Sequence, residues 1–335
     1  MNRPVLDAAL TGVGAALPEA VRENGFFTHL DTSDAWIVQR TGIRERRIVS
    51  SAESLADLAT AASRRALADA AVPASLVTHV IVATSTADRI TPGLAVEVSA
   101  RLGLPQPAAC DLAAGCSGFL YALEHAVALI EAQRAEHVIV CGAEALSRIT
   151  DISDRATAPL LGDGAGAVLL SATPHAHRPT VRLGSDGDHI GLLLATRDEG
   201  FLRMKGPTLF TLAVDRMAKE LDRTLRIRGI GTADIDLLVA HQANARIVQA
   251  VAKRLDMPPH RVYMNIERVG NTSAASIPVA LAHAQDDRTL RPGALLGLAA
   301  FGAGLTWGAA VIDWKPEAAS RDAETTRADS RRGPV

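Results

Sequence analysis

Gly293 to Ile312 reads GALLGLAAFGAGLTWGAAVI, 20 residues without a single charge. An apolar run of that length suits a membrane-spanning helix, so its reading decides what kind of molecule this is. Five of the 20 residues are glycine: Gly293, Gly297, Gly302, Gly304 and Gly308. Glycines at that density argue for two buried strands joined by a Gly-rich turn. On that reading the segment closes a globular α/β chain and no membrane is involved.

Working outward, short apolar runs alternate with helical patterns, as expected of an α/β protein. HVIVAT at His79 to Thr84 and HVIVC at His137 to Cys141 are near-continuous apolar runs, which suit strands covered on both faces. Ser54 to Ala71 is predicted helical, with Leu55, Leu58, Ala62 and Leu67 on one side, and so is Ala95 to Leu102. The chain also echoes itself. A helix, VTHVIVATS, a helix and ACDLAAGCSGFLYALEHA in the first half answer a helix ending near Arg228, DIDLLVAHQA, a helix and YMNIERVGNTSAASIPVALAHA in the second. HVIVCGAEAL with LLGDGAGAVLL then answers the Gly293–Ile312 stretch. The period is about 150 residues, which is a domain repeat and not a solenoid. The expected organisation is a first half at 1–173, a second at 174–314 and a polar tail at 315–335. The join falls near TPHAHR, Thr173 to Arg178.

Composition sets limits on function. Lys plus Arg is 35 and Asp plus Glu is 37 in 335 residues, so no basic field exists to hold nucleic acid. Aromatic residues are 3%, which argues against base-stacking platforms. Three cysteines, Cys110, Cys116 and Cys141, make neither a disulfide framework nor a zinc knuckle. No metal site is expected; His175 and His177 read as linker residues. Asp7 interrupts any signal-peptide core, so the expected setting is cytoplasmic.

Cys116 stands in DLAAGCSGF, just before a helical stripe of Phe119, Leu123, Ala126, Val127 and Ile130. A helix N-terminus favours a thiolate, which makes Cys116 a candidate nucleophile; a small buried thiol is the plain alternative. Cys110 and Cys141 lie in apolar runs and read as buried packing. His241, in LLVAHQANARIV, ends an apolar strand where α/β sheets place their ligand crevice; a satisfied histidine at a sheet edge is its alternative. Asn271, in RVGNTSAASIPVALAHA, takes roughly the place in the second half that Cys116 takes in the first, or else caps a helix. A thiol, an imidazole and an amide at matching ends of a duplicated fold point to acyl transfer with charge stabilisation. Papain-like proteases use the same three residue types, but their local signature is absent.

These residues, in their order, resemble the β-ketoacyl-acyl carrier protein synthase III family of thiolase-like condensing enzymes. DTSDAWIVQRTGIRERRI (Asp31 to Ile48), the Cys116 segment, DRATAPLLGDGAGAVLL (Asp154 to Leu170), AHQANARI, GNTSAAS and FGAGLTWGAA carry the likeness from about Thr11 to Trp314. The resemblance implies a five-layered αβαβα fold of two duplicated halves, a homodimer and no cofactor. It implies that Cys116 is the acylated nucleophile and that His241 and Asn271 bind the extender thioester oxygen. Gly304, in the loop Gly302 to Gly304, matches the oxyanion loop. Trp36, Arg40 and Arg155 match residues that grip the coenzyme A nucleotide. Arg246, Lys253 and Arg254 match the basic surface that meets the acidic carrier protein. Thr91 falls where a residue from the partner subunit borders the acyl pocket; a bulky Phe there limits primers to short chains. Two departures stand out, Ser117 where Ala often follows the nucleophile and Ala303 where glycine is common.

The resemblance implies loading of an acyl-CoA primer on Cys116, then decarboxylative Claisen condensation with malonyl-acyl carrier protein. An alternative within the family's relatives is transfer of the acyl group to a hydroxyl without decarboxylation, for which Asn271 would be unnecessary. A non-catalytic carrier-binding subunit is a third reading, against which Cys116 argues.

Overall fold

A computed structural model describes residues 7–173 and 178–314. The polar tail at 315–335 and most of the join, 174–177 with His175 and His177, lie outside the described residues.

The first half runs β1 (Asp7–Ala16), β2 (Val21–Glu23), α1 (Asp34–Thr41), β3 (Glu45–Arg47), α2 (Leu55–Asp69), β4 (His79–Ala83), α3 (Leu94–Leu102), β5 (Ala108–Leu112), α4 (Gly118–Glu131), β6 (His137–Ala145) and β7 (Asp163–Thr173). The second runs β8 (Thr180–Ser185), β9 (Leu193–Ala195), β10 (Leu202–Met204), α5 (Gly206–Arg228), β11 (Leu237–Ala240), α6 (Ala245–Arg254), α7 (Ile266–Val269), α8 (Ser276–Asp286), β12 (Leu295–Gly302) and β13 (Thr306–Asp313).

Five strands form one mixed sheet in the order β1-β7-β6-β4-β5, and four form another in the order β11-β12-β13-β8. Read from the antiparallel end, the second sheet repeats the first: β8, β13, β12 and β11 stand where β1, β7, β6 and β4 stand. The pairing directions agree as well. β4–β6 and β11–β12 are parallel, and β6–β7 and β12–β13 are antiparallel. A single parallel bridge from Val262 to Leu238 takes the place of a fifth strand.

Three apolar clusters stack these sheets into five layers. α2 and α3 pack on the outer face of the first sheet through Leu55, Ala59, Ala62 and Val98. α4 and α8 lie between the sheets, where Phe119, Leu123, Val127, Ile277, Val279 and Leu281 are buried. α5 and α6 cover the outer face of the second sheet through Met217, Leu221, Val248 and Val251. This is the αβαβα arrangement, and each sheet is covered on both faces, which is why its strands read as unbroken apolar runs.

Local signals set the element ends. Ser54 and Asp57 cap α2 reciprocally, the Ser54 N–H donating to Asp57 Oδ2 at 2.8 Å and the Asp57 N–H to Ser54 Oγ at 3.1 Å. The Gly293–Ile312 stretch forms β12 and β13, paired antiparallel from Leu295↔Asp313 to Gly302↔Thr306. Among the described residues no helix is long and apolar enough to cross a membrane.

Candidate active site

Cys116 sits in a single 3-10 turn, Gly115–Ser117, that runs straight into α4. Because α4 occupies the middle layer, the thiol lies where the two halves meet. The end of β12 presses against this turn so closely that a Cβ on Gly302 would stand 2.6 Å from Cys116 N. Only glycine permits that approach. Two hydroxyls fasten the contact. Ser117 Oγ donates to Thr306 O at 3.0 Å, and Thr306 Oγ1 donates to Ala114 O at 2.9 Å. The departure at Ser117 therefore ties the Cys116 turn to the strand that follows the Gly302–Gly304 loop.

A helix N-terminus predicts an acidic thiol, and the structure differs. Burial pushes the Cys116 thiol up to about 11; the Glu144 carboxylate pushes the same way, while the Ser273 hydroxyl and a backbone N–H pull it down. The resting group is the neutral thiol, because desolvation outweighs the helix end.

His241 follows β11 directly, its N–H donating to Ala299 O at 2.7 Å. The residue is only 2% exposed, and neither Nδ1 nor Nε2 has a hydrogen-bond partner among the described residues. Burial alone pulls its imidazole down to about 4. Leaving a buried polar atom unpaired costs roughly 1–3 kcal/mol, so this ring is set up to receive a ligand.

Asn271 is clamped by its backbone, which donates to Leu160 O at 2.8 Å and accepts from Gly162 N at 2.9 Å. Its Oδ1 accepts the Ser273 N–H at 2.9 Å, which orients the amide and leaves Nδ2 as the donor for a ligand. The match to Cys116 is offset. The turn before α8 is Ser273–Ala275, so Ala274 is the counterpart of Cys116 and Asn271 lies three residues earlier.

One cavity of about 1180 Å³ is lined by Cys116, His241, Asn271 and Gly304 in its depth and by Trp36, Arg40, Arg155 and Arg246 where it opens. At the opening the Arg40 and Arg155 guanidinium carbons lie 4.2 and 4.5 Å from the centre of the Trp36 ring. An aromatic face with two cations suits a nucleotide carrying phosphates. Arg246, Lys253 and Arg254 are exposed on α6, but Arg254 is paired with Asp215 at 2.8 Å, so its charge is partly spent. Thr91 is exposed and does not line the cavity of its own chain.

Other residues went unnoticed in the sequence. Thr306 and Ser273 are remote from Cys116 in the chain and carry no local signal. Glu144 had one, a charge within the apolar run of β6. Cys110 is a correction. It is exposed, not buried, because β5 is the last strand of its sheet and none of the described residues covers its open edge. Among the described residues no cluster of three His, Cys, Asp or Glu is placed to hold a metal ion.

Comparisons with known proteins agree with this geometry. Residues 110–187 match the family described as 3-oxoacyl-[acyl-carrier-protein] synthase III, and residues 225–314 match its C-terminal part. A β-ketoacyl-[acyl-carrier-protein] synthase III of Rhodospirillum centenum is 44% identical over 321 residues, covering 92% of this chain and 99% of the relative. The chain belongs to the β-ketoacyl-[acyl-carrier-protein] synthase III family. A second relative, β-ketoacyl-[acyl-carrier-protein] synthase III 2 of Streptomyces coelicolor, is 46% identical over 312 residues, covering 92% of this chain and 94% of its own. The solved 3-oxoacyl-[acyl-carrier-protein] synthase III of Aquifex aeolicus superposes with a TM-score of 0.89 at 39% identity, over 92% of this chain and all of its own. A priming β-ketosynthase from the R1128 polyketide pathway also gives 0.89, at 31% identity, over 94% of this chain and 99% of its own. As a synthase III the chain is an acyltransferase of the condensing type, in a family that works on thioesters without a cofactor.

Proposed function

We propose that this synthase III loads an acyl group from an acyl-CoA onto Cys116. Malonyl-acyl carrier protein then condenses with it to give a 3-oxoacyl-carrier protein, the opening step of fatty-acid or polyketide assembly. The observation that carries this reading is a buried, unpartnered imidazole, His241, in the same cavity as a half-buried thiol and an oriented amide. In the first half-reaction the Cys116 sulfur attacks the thioester carbonyl and coenzyme A departs, its nucleotide end held by Trp36, Arg40 and Arg155. The N–H groups of Cys116 and Gly304 receive the oxyanion. In the second, His241 and Asn271 Nδ2 donate to the malonyl thioester oxygen as carbon dioxide leaves, stabilising the enolate, which attacks the acyl-Cys116 carbonyl. A neutral imidazole suits this, since it donates without bringing an uncompensated charge into a dry site.

Arg246 and Lys253 are the carrier-protein contacts, with Arg254 secondary because of Asp215. The working unit is a homodimer formed at the open edge of β5. Ala108, Cys110 and Asp111 are exposed there, and Ile90, in the loop before α3, is 83% exposed. That pairing would bring Thr91 of one subunit towards its partner's acyl pocket. Free thiols at all three cysteines fit a cytoplasmic protein.

The test supplies a panel of acyl-CoAs with radiolabelled malonyl-carrier protein. The expected outcome is a mass adduct on the protein, followed by label release as carbon dioxide in step with 3-oxoacyl-carrier protein. An adduct that passes to a hydroxyl acceptor with no carbon dioxide would replace condensation by plain acyl transfer. Sedimentation should give twice the 35.2 kDa chain mass.

A further inference from the structure

Glu144 is fully buried as the next-to-last residue of β6, and the proposed reaction leaves it unused. Its carboxylate is not stranded. Oε2 accepts from Thr86 Oγ1 at 2.5 Å and from Ser85 N at 3.2 Å, and Oε1 accepts from Ser273 Oγ at 3.0 Å. Ser273 stands at a junction. Its hydroxyl donates to Glu144, its N–H holds Asn271 Oδ1, and it lines the same cavity as Cys116. Ser273 Oγ thus stands between the cavity that holds Cys116 and the Glu144 carboxylate. His241, the other candidate base, makes no hydrogen bond that would orient it as an acceptor for the thiol.

We propose that Ser273 relays the Cys116 thiol proton to Glu144, a positioning residue that holds this proton for as long as Cys116 carries an acyl group. This rests on the reading of Cys116 as the acylated residue. As Sγ forms its bond to the thioester carbon, the S–H proton moves to Ser273 Oγ, and the Ser273 proton moves to Glu144 Oε1. The bond to the coenzyme A sulfur breaks, and that thiolate takes a proton from solvent. When the enolate later attacks acyl-Cys116, the departing Cys116 thiolate recovers its proton from Glu144 by the reverse path. Cys116 and Glu144 thus carry at most one negative charge between them, and both half-reactions balance.

Burial supports the assignment by placing the two groups in a useful order. Glu144 is raised to about 7, chiefly by desolvation, with Thr86, Ser85, Ser273 and the backbone of Ala274 pulling it down. Cys116 is the titratable group that faces it. Across the loop after β4, Arg148 is bound to Thr86 O at 3.0 Å and to Asp88. Glu144 is therefore a base above pH 7, while the thiol itself stays protonated to about 11.

The test is single-turnover acylation by acyl-CoA, followed by intact mass across pH 5.5 to 10, in wild type, Glu144→Gln, Ser273→Ala and Ser273→Thr. Wild type should rise with pH and level off above about 7. Glu144→Gln, which keeps the shape, should fall about 100-fold at pH 8, a general-base contribution. It should also lose the break near 7, climbing about tenfold per pH unit because only the ionised thiol then reacts. Ser273→Ala should behave the same way, and Ser273→Thr, which restores a hydroxyl, should recover much of the rate. Decarboxylation of malonyl-carrier protein measured without acyl-CoA should persist in Glu144→Gln, since His241 and Asn271 are untouched; loss of this uncoupled decarboxylation together with acylation would mean a structural role and overturn the proposal. A Glu144→Gln profile that keeps the wild-type break would overturn it as well. If wild type took up no acyl group at all, the failure would belong to the proposed function and not to the relay.

Discussion

The turn that leads into α4 and the turn that leads into α8 hold matching places in the two halves, and they hold polar groups in unlike ways. The first presents Cys116 itself, with Ser273 and Glu144 close by. The second presents Ala274, its chemistry displaced three residues back to Asn271 and across to His241 at the end of β11. Burial acts on both sides of the cavity in opposite directions: it lifts the thiol to about 11 and drops the imidazole to about 4. Both groups rest neutral, so no thiolate–imidazolium pair exists before substrate arrives. The two halves thus hold equivalent sites for a side chain before a central helix, and in the proposed reaction one carries the covalent chemistry and the other the hydrogen bonding.

The comparison breaks most sharply at Cys116. Cys116→Ala should abolish the acyl adduct in intact mass spectrometry, while Cys110→Ala and Cys141→Ala keep it. An adduct that survives would move the nucleophile out of the first half. The next effect is in the second half. Asn271→Ala should leave acylation of Cys116 nearly intact yet slow carbon dioxide release by about 10²–10³, the usual cost of one such donor. His241→Ala should do likewise, and the double variant should lose less than the product of the two, because both serve one oxygen. Equal loss of acylation and decarboxylation in Asn271→Ala would dissolve the division of labour.

A smaller effect concerns how the second half receives its substrate. Arg246→Glu should raise KM for malonyl-carrier protein about tenfold at low salt and much less at high salt, with acylation by acyl-CoA unchanged. Insensitivity to salt would place the carrier elsewhere. The smallest concerns the seam between halves. Ser117→Ala removes the bond to Thr306 O and should cost about 1 kcal/mol, a fall in Tm of about 2 °C, with little change in acylation. A large loss of acylation instead would show that this bond aligns the nucleophile turn as well as stabilising it.

The sequence by itself determined an α/β chain of two echoing halves, while the five layers and the residues at the cavity mouth came from the family resemblance. Unbroken apolar runs such as His79–Ala83 required strands covered on both faces, glycines broke Gly293–Ile312 into β12 and β13, and internal repetition gave a second sheet ordered like the first. Cys116, His241 and Asn271 were legible because each stands where a strand or turn meets a helix, a position that backbone geometry marks locally. The tertiary structure alone decided what surrounds them. Ser117 and Thr306 are 189 residues apart, and Ser273 and Glu144 are 129 apart, so no local pattern reports either contact. It also reversed the expected state of the thiol. A helix end can be read from sequence, but desolvation depends on every layer that closes over the sulfur, and here it is the stronger of the two. Cys110 shows the same limit from the other side: its apolar run looks like core, and only its place at the edge of the sheet leaves it exposed.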